Sequence, residues 1–231
     1  MATIQNGVDW GSMASPSYRN IFTRERRHSL QMGILIFVLA LMFQMYSLLY
    51  TERVTTNFVH DFFLDNLPIL DLNVIIVEGA LTVLVGTLAL VLSKPAYIIF
   101  ALKAVALFIA TRAIFISLTH LGIYPGQINP DRGLADHIYI ALGLEAGFFF
   151  SAHTGLPILM SLIFWRERIW RTVYLGIALI FGASVLLAHV HYSIDVFAAP
   201  FMAYSIYKLT EYLFPEDAKL RLPTADVVHT A

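Results

Sequence analysis

The chain has 231 residues, 58% hydrophobic and only 13% charged, with a mean hydropathy of +0.70. Soluble domains carry roughly a quarter charged residues, so the composition excludes an ordinary soluble enzyme and indicates a polytopic membrane protein. The lack of cysteine removes disulfide and thiolate chemistry; the net charge of −1 says little about partners, and nucleic acid is not an expected one.

Residues 1–28 read as a polar tail. The stretch 29–51 then runs without Asp, Glu, Lys or Arg, long enough to cross about 30 Å of hydrocarbon at 1.5 Å per residue. Arg24, Arg26 and Arg27 precede it and no small-residue cleavage site follows, so it reads as a retained anchor. By the same rule, further spans fall at about 72–92, 96–118, 153–165, 172–189 and 192–212. The third carries Lys103 and Arg112. The fourth is short unless the preceding "IYIALGLEAGFFF" is also helical. The fold class is therefore an all-α, polytopic membrane bundle of about six helices over 29–214, followed by a polar tail over 215–231. No internal repeat or second domain is visible.

Loop charges orient the bundle. With the N-terminus inside, Arg19, Arg24, Arg26, Arg27, Lys94, Arg166, Arg168, Arg171, Lys208, Lys219 and Arg221 are cytoplasmic, and only Arg53 and Arg132 fall outside. Both termini are then cytoplasmic. The end of the third span, the start of the fourth and the turn between the fifth and sixth share the exoplasmic face.

Ionisable residues gather at that face. His191 and Asp195, four apart, share a helix face, so the carboxylate can hold one imidazole nitrogen and leave the other to act as nucleophile or base. The same pair could stabilise a helix end and nothing more. His153 opens the fourth span within "SAHTG", where Ser151 is a candidate N-cap, Thr154 adds a hydroxyl and Gly155 lets a ligand approach. Ordinary helix capping is the alternative there. Arg112 lies two turns before Thr119, about 10 Å below the end of the third span, where a cation needs an acid or a phosphate. Lys103, deeper still, could reach a headgroup or an acid such as Glu78. His189 forms H-x-H with His191, but residues two apart on a helix diverge, so no metal site is expected. Tyr192 suits an interfacial position or a pocket wall.

"SAHTG" resembles the S-G-H-T motif of sphingomyelin synthases and ceramide phosphoethanolamine synthases, within the broader type 2 phosphatidic acid phosphatase superfamily. "AHVHYSIDV" is similar to their A-H-x-H-Y-T-[IV]-D-V motif, and "RAIFISLT" to their R-x6-T element. The resemblance covers about 105–215. It implies six spans, an exoplasmic active site and no metal or other cofactor. It makes His191 the nucleophile, Asp195 its orienting partner and His153 the acid that protonates the departing lipid alkoxide.

Ala152 stands where the family has glycine and Ser193 where it has threonine. Gly147 replaces an acidic residue, leaving Glu145 two positions earlier. Headgroup and acceptor are therefore not set by the resemblance. The K-x6-R-P and S-R-x5-H motifs of the phosphatase branch are not evident, which favours the transferase branch.

The expected activity is transfer of a phospho-headgroup from a phospholipid to ceramide, another alcohol or water through a phosphohistidine. Arg112, Ser151, Thr154, Thr119, Glu145, His189 and Tyr192 are expected to bind phosphate or headgroup. A phosphatase acting on phosphatidic acid-like monoesters is the nearest alternative. A proton-coupled transporter is the alternative from another class. The expected partners are the lipid donor, a lipid or water acceptor and the membrane, with a homo-oligomer allowed.

Overall fold

The computed structural model describes residues 23–54, 57–127 and 149–221, and the regular structure among them is entirely helical. Helix α1 spans Arg24–Val54. A π-helical turn, Val74–Glu78, runs into α2, Gly79–Ser93. The others are α3 (Pro95–Leu118), α4 (Ala152–Ile163), α5 (Arg168–Leu187), α6 (Ser193–Leu213) and the short α7 (Pro215–Lys219).

Four stretches are long and apolar enough to cross a membrane: Arg26–Val54, Val74–Ser93, Pro95–Leu118 and Arg168–Leu187. The protein is accordingly a membrane protein. Helix α4 has 12 residues, about 18 Å at 1.5 Å per residue, well short of a bilayer core. Helix α6 has 21, but Asp195, Lys208 and Glu211 make it more polar than those four. The expected bounds shift modestly: the first helix extends beyond 29–51 at both ends, and the fifth begins at Arg168 rather than near 172. Residues 128–148, with Arg132, Glu145 and all of "IYIALGLEAGFFF" but its last two residues, lie outside the described residues.

Contacts give the helix directions. Ser29 meets Lys103, while Ser47 donates to the Ala113 carbonyl at 2.7 Å, so α1 and α3 run parallel. Tyr174 donates to Thr87 at 2.7 Å and Leu70 N–H to the Leu187 carbonyl at 2.8 Å, making α5 antiparallel to α2. Phe164 at the end of α4 stacks on Tyr174 in α5 and packs on Tyr97 at the start of α3. The ends of α3 and α5 therefore lie beside the starts of α4 and α6. Between the two ends of the bundle sits an apolar core that includes Phe100, Ala104, Phe108, Leu159 and Ala203. Much of the outer surface is also apolar: Leu35, Met42, Val85, Leu179 and Phe201 are exposed, as lipid-facing side chains should be.

Two local expectations change. Lys103 does not pair with Glu78. Its ammonium sits 2.6 Å from Asp217 in α7 and donates to Ser29 at 2.7 Å, over the ring of Phe214. Ser29 in turn donates to Asp217 at 2.9 Å. Residues 215–221, expected as the start of a polar tail, instead form α7 and a following turn, with Asp217 and Arg221 buried against the bundle. A buried lysine demands a counter-charge, and only the folded chain brings one from 114 residues away.

Candidate active site at the shared start of two helices

Helices α4 and α6 begin side by side because their backbones are joined: Ser151 N–H donates to the Asp195 carbonyl at 2.9 Å. Ser151, fully buried, caps α4 as its side chain accepts from Thr154 N–H at 3.4 Å. The cap turns His153 inward. Just before α6, His191 Nδ1 lies 3.1 Å from Asp195 Oδ2; the expected contact forms, but across the bend that precedes the Tyr192 N-cap rather than along one helix face. His191 and Asp195 are both buried.

The His153 and His191 rings are 6.0 Å apart, centroid to centroid, at 67°. His153 packs edge-on to Phe181 of α5 at 5.8 Å, with the backbone of Ile76 in the π-helical turn close to its ring. π-Turns recur at functional sites because they release backbone groups from the regular ladder. Arg112, buried in α3, donates through Nε to the Phe150 carbonyl at 3.4 Å and lies within electrostatic reach of His153. The structure thus brings His153, His191 and Asp195 together with Arg112 in electrostatic reach and Ser151 joined to Asp195 through the backbone, while the Thr154 side chain lies against Gly182 of α5.

Other expected site residues have different placements. The Thr119 hydroxyl donates to the Phe115 carbonyl at 2.8 Å and ends α3. Tyr192 is a buried brace rather than an interfacial wall. Its hydroxyl donates to the Gly122 carbonyl at 2.8 Å and accepts from Val59 N–H at 3.3 Å, tying two loops to the start of α6. Gly155 admits no ligand on its α-carbon face: an added Cβ would come within 2.8 Å of the Phe108 ring, so the glycine serves the packing of α4 on α3. Glu145 lies outside the described residues.

His189 sits where α5 stops. Val190 N–H donates to the Val185 carbonyl and His189 N–H to the Leu186 carbonyl, the Schellman pattern, with His189 in the left-handed position at φ +54°. Glycine is the usual occupant. Its ring is buried edge-on to Tyr124 at 5.4 Å, with both ring nitrogens lacking a hydrogen-bond partner, while the His191 ring turns to Asp195.

Asp61 was not legible as a site component. Its Oδ2 accepts from Ser193 N–H at 2.8 Å, at the positive end of α6, and its Oδ1 accepts from Phe63 and Leu64 N–H at 2.9 and 3.2 Å. Burial alone would raise this carboxyl, but the donors from Ser193, Leu64 and Phe63 outweigh it and hold the group below its ordinary 3.8. The Asp-x-Phe-Leu pattern signals a local turn. Nothing local signals the bond to Ser193.

A cavity of about 130 Å³ opens beside His153 between α2, α4 and α5, lined by Val83, Leu84, Leu156, Met160 and Phe181. Leu84 is exposed on the outer surface, so this apolar space adjoins the lipid-facing side. The arrangement can hold a nucleophilic imidazole, a second imidazole across from it, a cation and an apolar chain. No protein-family model, curated protein or solved structure matches this chain.

Proposed function

We infer that the protein is an integral-membrane lipid phosphotransferase or phosphohydrolase working through a phosphohistidine. The observation that carries this reading is the pairing of a carboxylate-held His191 with a second imidazole 6.0 Å away. A second imidazole this close to the first can serve as acid to a leaving group on a phosphoryl group that His191 attacks. The apolar cavity beside His153, next to the lipid-facing side, supports a lipid substrate.

In the first step, the ring nitrogen of His191 remote from Asp195 attacks phosphorus. A P–N bond forms, the P–O bond to the diacylglycerol oxygen breaks, and His153 delivers the proton that alkoxide needs. Asp195 keeps the proton on Nδ1 and stabilises the resulting imidazolium. Arg112 offsets the charge on the phosphoryl oxygens. In the second step, a lipid hydroxyl or water attacks phosphorus, its proton passes to His153, and the P–N bond breaks. The lysine and arginine count puts this end of the bundle at the exoplasmic face and both termini in the cytoplasm.

The test is to incubate the purified protein in lipid with headgroup-labelled phosphatidylcholine or phosphatidylethanolamine, with and without ceramide. Label on ceramide identifies a transferase, and label released to water a phospholipase C-like hydrolase. Inorganic phosphate from phosphatidic acid alone would assign the phosphatase reading. Proton flux without turnover of any of these lipids would overturn the enzyme reading in favour of a transporter. An impermeant reagent applied from outside should label a cysteine placed near Gly126, at exposed Ile123, and labelling only from the cytoplasmic side would reverse the orientation.

A further inference from the structure

At the end of the bundle remote from His153 and His191, a cavity of about 550 Å³ lies between the start of α3, the end of α4, the end of α6 and α7. Its lining carries four cations, Arg166, Lys208, Lys219 and Arg221, against one carboxylate, Glu211. Nothing in the proposed chemistry uses them. We propose that this cavity binds the phosphate of an anionic phospholipid.

Arg221 is the anchor. Only 7% exposed along its side chain, it is held over the Phe100 ring at 3.6 Å, donates to the Ile163 carbonyl at 3.3 Å and pairs with Glu211 at 3.2 Å. Its Nε is buried and meets no hydrogen-bond acceptor. A buried guanidinium N–H without an acceptor is costly, and Arg221 lines the cavity, where a phosphate is the anion that a guanidinium fits best. Lys208 and Lys219 contact Glu211 and Glu216 at 2.9 and 2.7 Å, but both side chains are more than half exposed and can swing to a ligand.

The phosphate belongs to a lipid rather than to a soluble anion because of the rim. Trp165 and Tyr204, 51% and 54% exposed, flank the cations, and exposed aromatic residues beside basic ones mark the headgroup level of a bilayer. Basic pockets between helices on the cytoplasmic side suit anionic headgroups. The lysine and arginine count puts this end in the cytoplasm.

Native mass spectrometry of the intact protein released from bilayers containing equal phosphatidylglycerol and phosphatidylcholine tests the site. One phosphatidylglycerol should be retained in clear preference to phosphatidylcholine. Each basic residue near a surface contributes a factor of about five in binding, so Arg166→Gln/Lys208→Gln/Lys219→Gln together should weaken retention on the order of 10²-fold. Arg166→Gln alone, which leaves every ion pair above in place, should weaken it about fivefold. Equal retention of the two lipids by the unaltered protein would overturn the proposal, as would undiminished preference in both variants. Millimolar inorganic phosphate should not displace the lipid, and displacement would overturn the lipid assignment in favour of a soluble phosphate.

Discussion

His189 adopts a backbone conformation that costs a non-glycine residue about 1–2 kcal/mol. His189→Gly and His189→Ala both remove the ring, but only glycine relieves the backbone. Thermal unfolding should therefore show the glycine variant more stable than the alanine variant by about 1 kcal/mol. If the ring serves the headgroup, both should lose activity equally, and full turnover in His189→Gly would confine the histidine to packing. The reacting groups permit a sharper separation. His191→Ala should abolish an acid-labile, base-stable phosphoramidate, and Asp195→Asn should lower turnover by about 10² to 10⁴. Arg112→Lys should cut activity sharply by losing the planar guanidinium. His153→Ala should slow reaction of a natural lipid far more than of a p-nitrophenyl analogue, whose leaving group needs no proton. Equal losses on the two substrates would remove His153 from the acid role. The contact of His191 with Asp195 and the cap at Ser151 were legible because both are local, joining residues four and three apart at the starts of α6 and α4. Gly155 was misread because its neighbour, Phe108, comes from another helix.

The short α7 is held by the ion pair of Lys103 and Asp217. Lys103→Ala would leave a buried carboxylate without its cation, at a cost of about 3–5 kcal/mol, so the variant should unfold at markedly lower temperature. Replacing both partners by apolar residues, as in Lys103→Met/Asp217→Leu, should recover most of that loss. Turnover of the folded fraction should survive, because Lys103 lies about 14 Å along α3 from Arg112. At the other end, Asp61 holds the start of α6 through a carboxyl that stays ionised below its ordinary 3.8. A depressed carboxyl stabilises the fold fully above its unfolded value and loses that contribution as pH falls through the folded one. Stability should therefore drop below about pH 4, and Asp61→Asn should flatten that part of the profile in acid titrations followed by circular dichroism. Neither contact was legible: their partners are 114 and 132 residues away, and hydrophobic periodicity carries no information about which charged residue meets which.

For the molecule as a whole, composition and charge-free runs sufficed to read an all-helical membrane protein and to place each long helix within a few residues. They did not reveal the π-turn at Val74–Glu78 or the bend of 215–221 back under the bundle, because both depend on packing against distant helices. The brevity of α4 has a consequence for the surrounding lipid. With about 18 Å of helix set against roughly 30 Å of hydrocarbon, His153 cannot sit at one bilayer surface while Ile163 sits at the other. Either water funnels down to the histidines or the nearer leaflet dimples toward them, at a fraction of a kcal/mol per Å of mismatch. A thin bilayer lowers that elastic cost and brings the glycerol–phosphate linkage closer to His191. Turnover measured in vesicles of increasing acyl length should accordingly fall as the membrane thickens from 14- to 22-carbon chains, and a flat profile would mean that the dimple is already filled by water.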